Sequence, residues 1–151
     1  MAELAISIAV NIGLGVLLLA LLYRKRADDR VRLTGQEDAM RVFRLYFPDA
    51  RGAATVSSDG RGALIELHGV HGRFGLLERR GHRWNARVLA GAEVSSLRFR
   101  APETLQIGIA DFGWPRAQLR MSGADRARWM AWLGANGAVA PAGPPEGAPR
   151  A

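Results

Sequence analysis

The chain has 151 residues, a formal net charge of +7 and no cysteine. Without thiols it has neither disulfide bonds nor cysteine metal ligands, and its positive charge favours acidic partners or anionic surfaces. Beyond an apolar N-terminal segment and a Pro-rich end, about 110 residues remain, which is the size of one compact domain.

An uncharged apolar run extends from Leu4 to Leu22, and Arg24-Lys25-Arg26 follows it. At about 1.5 Å per helical residue this run would reach roughly 28 Å, close to the ~30 Å hydrocarbon core of a bilayer. Basic residues favour the cytoplasmic side. We therefore predict a single-pass transmembrane anchor over residues 1–23, N-terminus out, with the remaining domain cytoplasmic at a bacterial inner membrane. A cleaved signal peptide and a buried core helix are the alternatives.

Small and polar residues interrupt the apolar run at Ala9, Asn11, Gly13 and Gly15. Small residues let two membrane helices approach closely, and an Asn side chain can donate a hydrogen bond across such a contact. These four residues are the predicted packing face toward other transmembrane helices.

A charged connector, residues 24–33, precedes an amphipathic segment over residues 34–47. Thr34 and Glu37 have the spacing of a capping box at a helix start. Apolar residues then recur at three- and four-residue steps and predict a short helix that packs on the domain or lies on a membrane surface. These residues are Ala39, Met40, Phe43, Tyr46 and Phe47.

From residue 53 to residue 121 the hydrophobic period changes to two, which is typical of strands with one buried and one solvated face. Turn residues separate the segments. We predict seven short antiparallel strands: Ala53–Ser57, Ala63–Leu67, Arg73–Glu78, Trp84–Leu89, Val94–Arg100, Thr104–Ala110 and Arg116–Met121.

The last predicted helix covers residues 122–134, with Ser122 as N-cap and Trp129, Trp132 and Leu133 on one face. It ends the cytoplasmic domain, residues 34–136. Residues 137–151 are rich in Pro, Gly and Ala and are predicted to be disordered.

Seven short strands followed by one helix with the sequence Ala127-Arg128-Trp129-Met130-Ala131-Trp132-Leu133 resemble a pleckstrin-homology-like domain. The resemblance covers residues 53–134 and implies a β meander or barrel closed by the C-terminal helix, with a binding rather than a catalytic role. Phosphoinositide readers of that family carry basic residues between their first two strands. Here that loop, residues 58–62, holds one Arg and one Asp. The expected fold class is thus a single N-terminal transmembrane helix plus an α+β, mainly β, cytoplasmic domain.

The most basic position in the domain is the hairpin tip with Arg79, Arg80 and Arg83. Guanidinium groups can hold phosphate bidentately, so these residues, with Arg24, Lys25 and Arg26, are candidate contacts for anions or lipid headgroups; a solvated tip is the alternative. Trp114 beside Pro115 is a core plug or a protein contact. No catalytic, cofactor or metal-binding residues are predicted, since His68 and His71 lack a third ligand.

These features predict a non-enzymatic membrane accessory or scaffold protein. Its anchor would join a membrane protein complex, and its cytoplasmic domain would bind or brace that complex. The alternative is a membrane-tethered module that binds anionic lipid headgroups or phosphate groups through the hairpin at residues 79–83. Nucleic acid is not an expected partner, because the aromatic residues are not interleaved with basic residues in a recognisable RNA-binding motif. No small-molecule substrate is identified.

Overall fold

A computed structural model gives the fold of the chain and describes residues 15–21, 23, 32–100 and 103–138. The chain divides into two compact units, residues 1–32 and residues 33–151. In the first unit, residues 15–21 and 23 are helical. All the strands among the described residues belong to the second unit.

The predicted membrane anchor is wrong. Among the described residues, no helix is long and apolar enough to cross a membrane. Residues 1–14, 22 and 24–31 of the predicted anchor and connector lie outside the described residues. The single-pass localisation, N-terminus out and domain cytoplasmic, is corrected too, because it depended on this span.

The first sheet has four antiparallel strands in chain order: β1 (Gly52–Val56), β2 (Gly62–Leu67), β3 (Arg73–Arg80) and β4 (Arg83–Ala90). Its central strands, β2 and β3, are buried on both faces. Leu64 and Leu76 face the second sheet, whereas Ile65 and Leu77 face a helix. The expectation of one solvated face is therefore wrong for these two strands, whose apolar runs fit a sheet covered on both sides.

Helix α1 (Gln36–Arg44) covers one face of the first sheet through Ala39, Met40, Val42 and Phe43. The Thr34–Glu37 capping box is wrong, because Gly35 occupies the N-cap position and makes no side-chain capping bond. Asp38, one residue further along, accepts from the Thr34 backbone N–H at 3.2 Å.

The second sheet has the order β5 (Val94–Arg100), β6 (Thr104–Ile109), β7 (Arg116–Arg120). It packs on the first sheet, and helix α2 (Gly123–Ala135) adds Trp129 and Leu133 to the same core. Ser122 is the N-cap of α2, and its Oγ accepts from the Asp125 N–H at 3.2 Å. The Trp129 indole N–H donates to Thr55 Oγ1 at 2.9 Å, which ties α2 to β1.

The seven strands form two separate antiparallel sheets, so the predicted closure into a pleckstrin-homology-like barrel is wrong. β4 and β5 belong to different sheets, and the chain crosses between them through a short 3-10 turn, Gly91–Glu93. A Cβ atom at Gly91 would lie 2.0 Å from the Asn136 carbonyl oxygen. The end of α2 thus packs directly on this crossing and leaves no room for a side chain there.

Candidate functional site

The outer side of the second sheet carries a set of polar and basic residues that we call the arginine face. Strand register defines it, because residues directly opposite one another across an antiparallel pair point to the same side. Leu97, Ile107 and Ala117 form one row toward the core. The intervening rows point outward and contain Ser96, Gly108 and Arg116; Arg98, Gln106 and Gln118; and Arg100, Thr104 and Arg120.

The arginine face holds four cations and no carboxylate. Arg98, Arg100, Arg116 and Arg120 are all exposed. Within the described part of the chain, none of the four forms a salt bridge. The nearest acids in sequence stand at the strand ends, and one of them, Glu93, already accepts from the Ala90 N–H. Four guanidinium groups on a rigid sheet form a local positive surface.

The residue at the centre of the arginine face is polar and largely buried. Gln106, on the middle strand, is only 7% exposed. Its Oε1 atom has no hydrogen-bond partner among the described residues. Next to it on β6, a Cβ atom at Gly108 would lie 2.3 Å from Ser96 Oγ, so only glycine fits without displacing that hydroxyl. A partner lying on the face would therefore meet arginines around a buried acceptor, which becomes accessible only when the neighbouring side chains move.

Glu78 on β3 joins the two sheets and holds the edge of the arginine face in place. Its Oε1 accepts from the Gln118 backbone N–H at 3.2 Å, and its Oε2 accepts from Trp114 Nε1 at 2.9 Å and Arg80 Nε at 3.1 Å. Arg80 in turn donates to the Arg116 backbone carbonyl at 3.0 Å. Side chains from the first sheet thus satisfy backbone groups along the free edge of β7, as a neighbouring strand would.

The loop between β6 and β7 is fixed by Asp111. Its Oδ1 accepts from the backbone N–H groups of Gly113 at 2.6 Å and Trp114 at 3.0 Å, and its Oδ2 accepts from Arg87. Hydrogen bonding from Arg87, followed by the bond from the Trp114 N–H, lowers the pKa of the Asp111 carboxyl below its ordinary value. The next residue, Phe112, is fully exposed at the loop tip.

The structure separates the arginines of the predicted hairpin site. Arg79 pairs with Trp84 across the hairpin and Arg80 pairs with Arg83, so Arg79 lies on one face and the other two on the opposite face. Arg80 is engaged by Glu78, and its guanidinium carbon lies 5.0 Å from the Trp114 ring centroid. Arg83 is exposed. Anion binding by these residues stays a prediction.

Of the remaining predicted site residues, two lie among the described residues. Trp114 is 5% exposed and lies in the core between the sheets, the position expected of a plug; its role as a protein contact stays a prediction. Gly15 lies in the described helical stretch of the first unit. Six predicted contacts lie outside the described residues: Ala9, Asn11, Gly13, Arg24, Lys25 and Arg26.

Sequence reasoning missed the arginine face as a unit. Its signal is the alternation Arg98-Phe99-Arg100 on β5 and Arg116-Ala117-Gln118-Leu119-Arg120 on β7. Each segment by itself predicts a half-solvated strand. The pairing of β5 and β7 with either side of β6 is seen only in the tertiary structure.

Comparison with known proteins adds no relative: no family model matches the chain, and no curated protein or solved structure matches it either. The resemblance to the pleckstrin-homology-like family therefore stays a prediction.

Proposed function

We propose that this chain is a non-enzymatic binding module that assembles with an acidic protein partner through the arginine face. The observation that carries the proposal is the placement of Arg98, Arg100, Arg116 and Arg120 on one side of one sheet, with no carboxylate among them.

Carboxylates are the complement of this surface. A guanidinium group can hold a carboxylate through two parallel hydrogen bonds, and Arg is enriched at protein interfaces. An exposed pair contributes only about 0.2–1 kcal/mol, so a useful affinity needs several pairs at once. Four arginines that are not engaged in salt bridges within the described part of the chain can supply roughly 1–4 kcal/mol together.

A protein partner fits the face better than single-stranded nucleic acid does. Proteins that bind single strands stack bases on aromatic rings set among basic residues. The one aromatic residue on β5–β7, Phe99, belongs to the opposite side of the sheet, where Arg126 lies 4.6 Å from its ring centroid. The arginine face itself carries only Arg, Gln, Ser, Thr and Gly.

The face is also held in place before a partner arrives. Glu78 and Arg80 fix the outer edge of β7, and the apolar side of the same sheet is packed in the core. A preorganised surface loses little conformational entropy on binding, which favours recognition over a flexible charged segment.

The test is a binding titration of the full chain with fluorescent poly-L-glutamate at several salt concentrations. We expect the double variant R98Q/R100Q to bind roughly tenfold more weakly than wild type and to lose part of the salt dependence. The matched control is R51Q/R73Q, which removes the same charge from two exposed arginines of the first sheet, one directly before β1 and one at the start of β3.

The control separates a specific face from net charge. If R51Q/R73Q weakens binding as much as R98Q/R100Q does, affinity follows overall charge and the proposed site is wrong. Wild-type chain that fails to bind poly-L-glutamate at low salt would also refute the proposal.

A further inference from the structure

We infer that the arginine face receives an extended acidic polypeptide rather than a phosphate polymer, and that Gln106 makes this choice. The inference rests on the proposed function and adds the class of chain that the same face recognises. Its basis is the orphan acceptor at the centre of the face, an atom that arginine–anion pairing leaves unsatisfied.

The acceptor is Gln106 Oε1, which has no partner among the described residues although the side chain is more than nine-tenths buried. Gln106 stands directly between Arg98 on β5 and Gln118 on β7. Both neighbours are exposed, so their long side chains can part for a ligand. A buried carbonyl oxygen without a donor is unfavourable, and a ligand that donates to it removes this penalty.

An acidic polypeptide supplies both kinds of group. Its carboxylates pair with the arginines, and its backbone carries an N–H donor at every residue except proline. Inorganic polyphosphate at neutral pH offers acceptor oxygens almost throughout. It can therefore pair with the arginines, but it has no donor for the Gln106 Oε1 atom. The orphan oxygen therefore discriminates between two polymers that charge alone would treat alike.

The spacing of the arginines suits an extended chain. Arg98 and Arg100 are two residues apart on one strand, which places their Cα atoms about 6.8 Å apart. Alternate side chains of an extended peptide have the same repeat. A peptide lying along β5 and β6 can thus place the carboxylates of alternate residues on Arg98 and Arg100. Gln106 is one strand away, at about 4.8 Å, where it meets the peptide backbone.

The experiment measures binding of the full chain to poly-L-glutamate and to inorganic polyphosphate of similar chain length, in the same buffer. The variant Q106L removes the amide and nearly preserves its volume; the control Q118L makes the same change at the exposed glutamine next to it. We expect Q106L to bind poly-L-glutamate about fivefold more weakly and polyphosphate within twofold of wild type, with Q118L close to wild type for both.

Thermal unfolding provides the independent readout. Since Q106L deletes an unsatisfied acceptor, its melting temperature should equal or exceed that of wild type. A melting temperature several degrees lower would show that Gln106 is already paired in the free protein and would overturn the inference.

The failures of the two proposals are distinguishable. If Q106L binds both polymers as wild type does while R98Q/R100Q still weakens binding, the role of Gln106 is wrong and the proposed function stands. If Q106L weakens the binding of both polymers equally, Gln106 does not discriminate between them and the inference is overturned. If R98Q/R100Q has no effect on poly-L-glutamate binding, the proposed function itself fails.

Discussion

Replacing Glu78 with alanine should loosen the junction between the two sheets. The carboxylate accepts from Trp114 Nε1 at 2.9 Å, the Gln118 backbone N–H at 3.2 Å and Arg80 Nε at 3.1 Å, and E78A removes both acceptor oxygens and with them all three hydrogen bonds. Because Trp114 is 5% exposed, water cannot readily take the place of the lost partner of its indole N–H.

The magnitude follows from these three bonds. A buried N–H left without an acceptor costs about 1–3 kcal/mol, a partly exposed backbone N–H about 0.5–1.5 kcal/mol, and a half-exposed ion pair about 0.2–1 kcal/mol. The sum is roughly 3 kcal/mol. For a domain of about 100 residues, this corresponds to a fall in melting temperature of about 10–20 °C.

Far-UV circular dichroism during heating measures the change, and urea unfolding gives the free energy. The control is E66A, which truncates a half-buried glutamate on the neighbouring strand. No hydrogen bond from its side chain to a described residue is found, so the change should cost less than about 1 kcal/mol. A melting temperature for E78A within 2 °C of wild type, or no lower than that of E66A, would refute the role of Glu78 in joining the sheets. The junction would then be held by apolar packing alone.

Two further changes test other contacts. T55V leaves the Trp129 indole N–H, which donates to Thr55 Oγ1 at 2.9 Å in wild type, without an acceptor. We expect urea unfolding to show a free energy of unfolding about 1–3 kcal/mol lower than wild type, with T55S close to wild type. Equal stability of T55V and wild type would contradict the contact. The second concerns pH: the folded state lowers the pKa of Asp111 below 3.8, so its contribution to stability is present above that pH and is lost as pH falls through the folded pKa. The difference in melting temperature between wild type and D111N should therefore shrink below pH 4, and a difference that is constant from pH 7 to pH 3 would exclude this role.

Local patterns are informative about the strands of the chain. Alternation and turn residues placed seven segments within a few residues of the observed strands, from β1 (Gly52–Val56) to β7 (Arg116–Arg120), and the Ser122–Asp125 spacing placed the start of α2. These signals involve residues close in sequence, where backbone geometry and neighbouring side chains decide the outcome.

Two of the errors concern the architecture of the chain. Hydropathy alone favoured a membrane span, whereas the described residues contain no helix long enough to make one. The barrel was expected from element order, but order does not specify whether β4 and β5 pair, and here they belong to different sheets. Strand pairing depends on contacts between segments far apart in sequence, which a linear pattern does not fix.

The amino-acid sequence by itself determined the strand segments, the turns between them and the alternation that turns Arg98, Arg100, Arg116 and Arg120 away from apolar neighbours. The tertiary structure decided which strands are neighbours, and so brought those four arginines to one surface around Gln106. The physical reason is that a side chain's direction along a strand follows from the period of the backbone, whereas its neighbours across the sheet follow from register and packing.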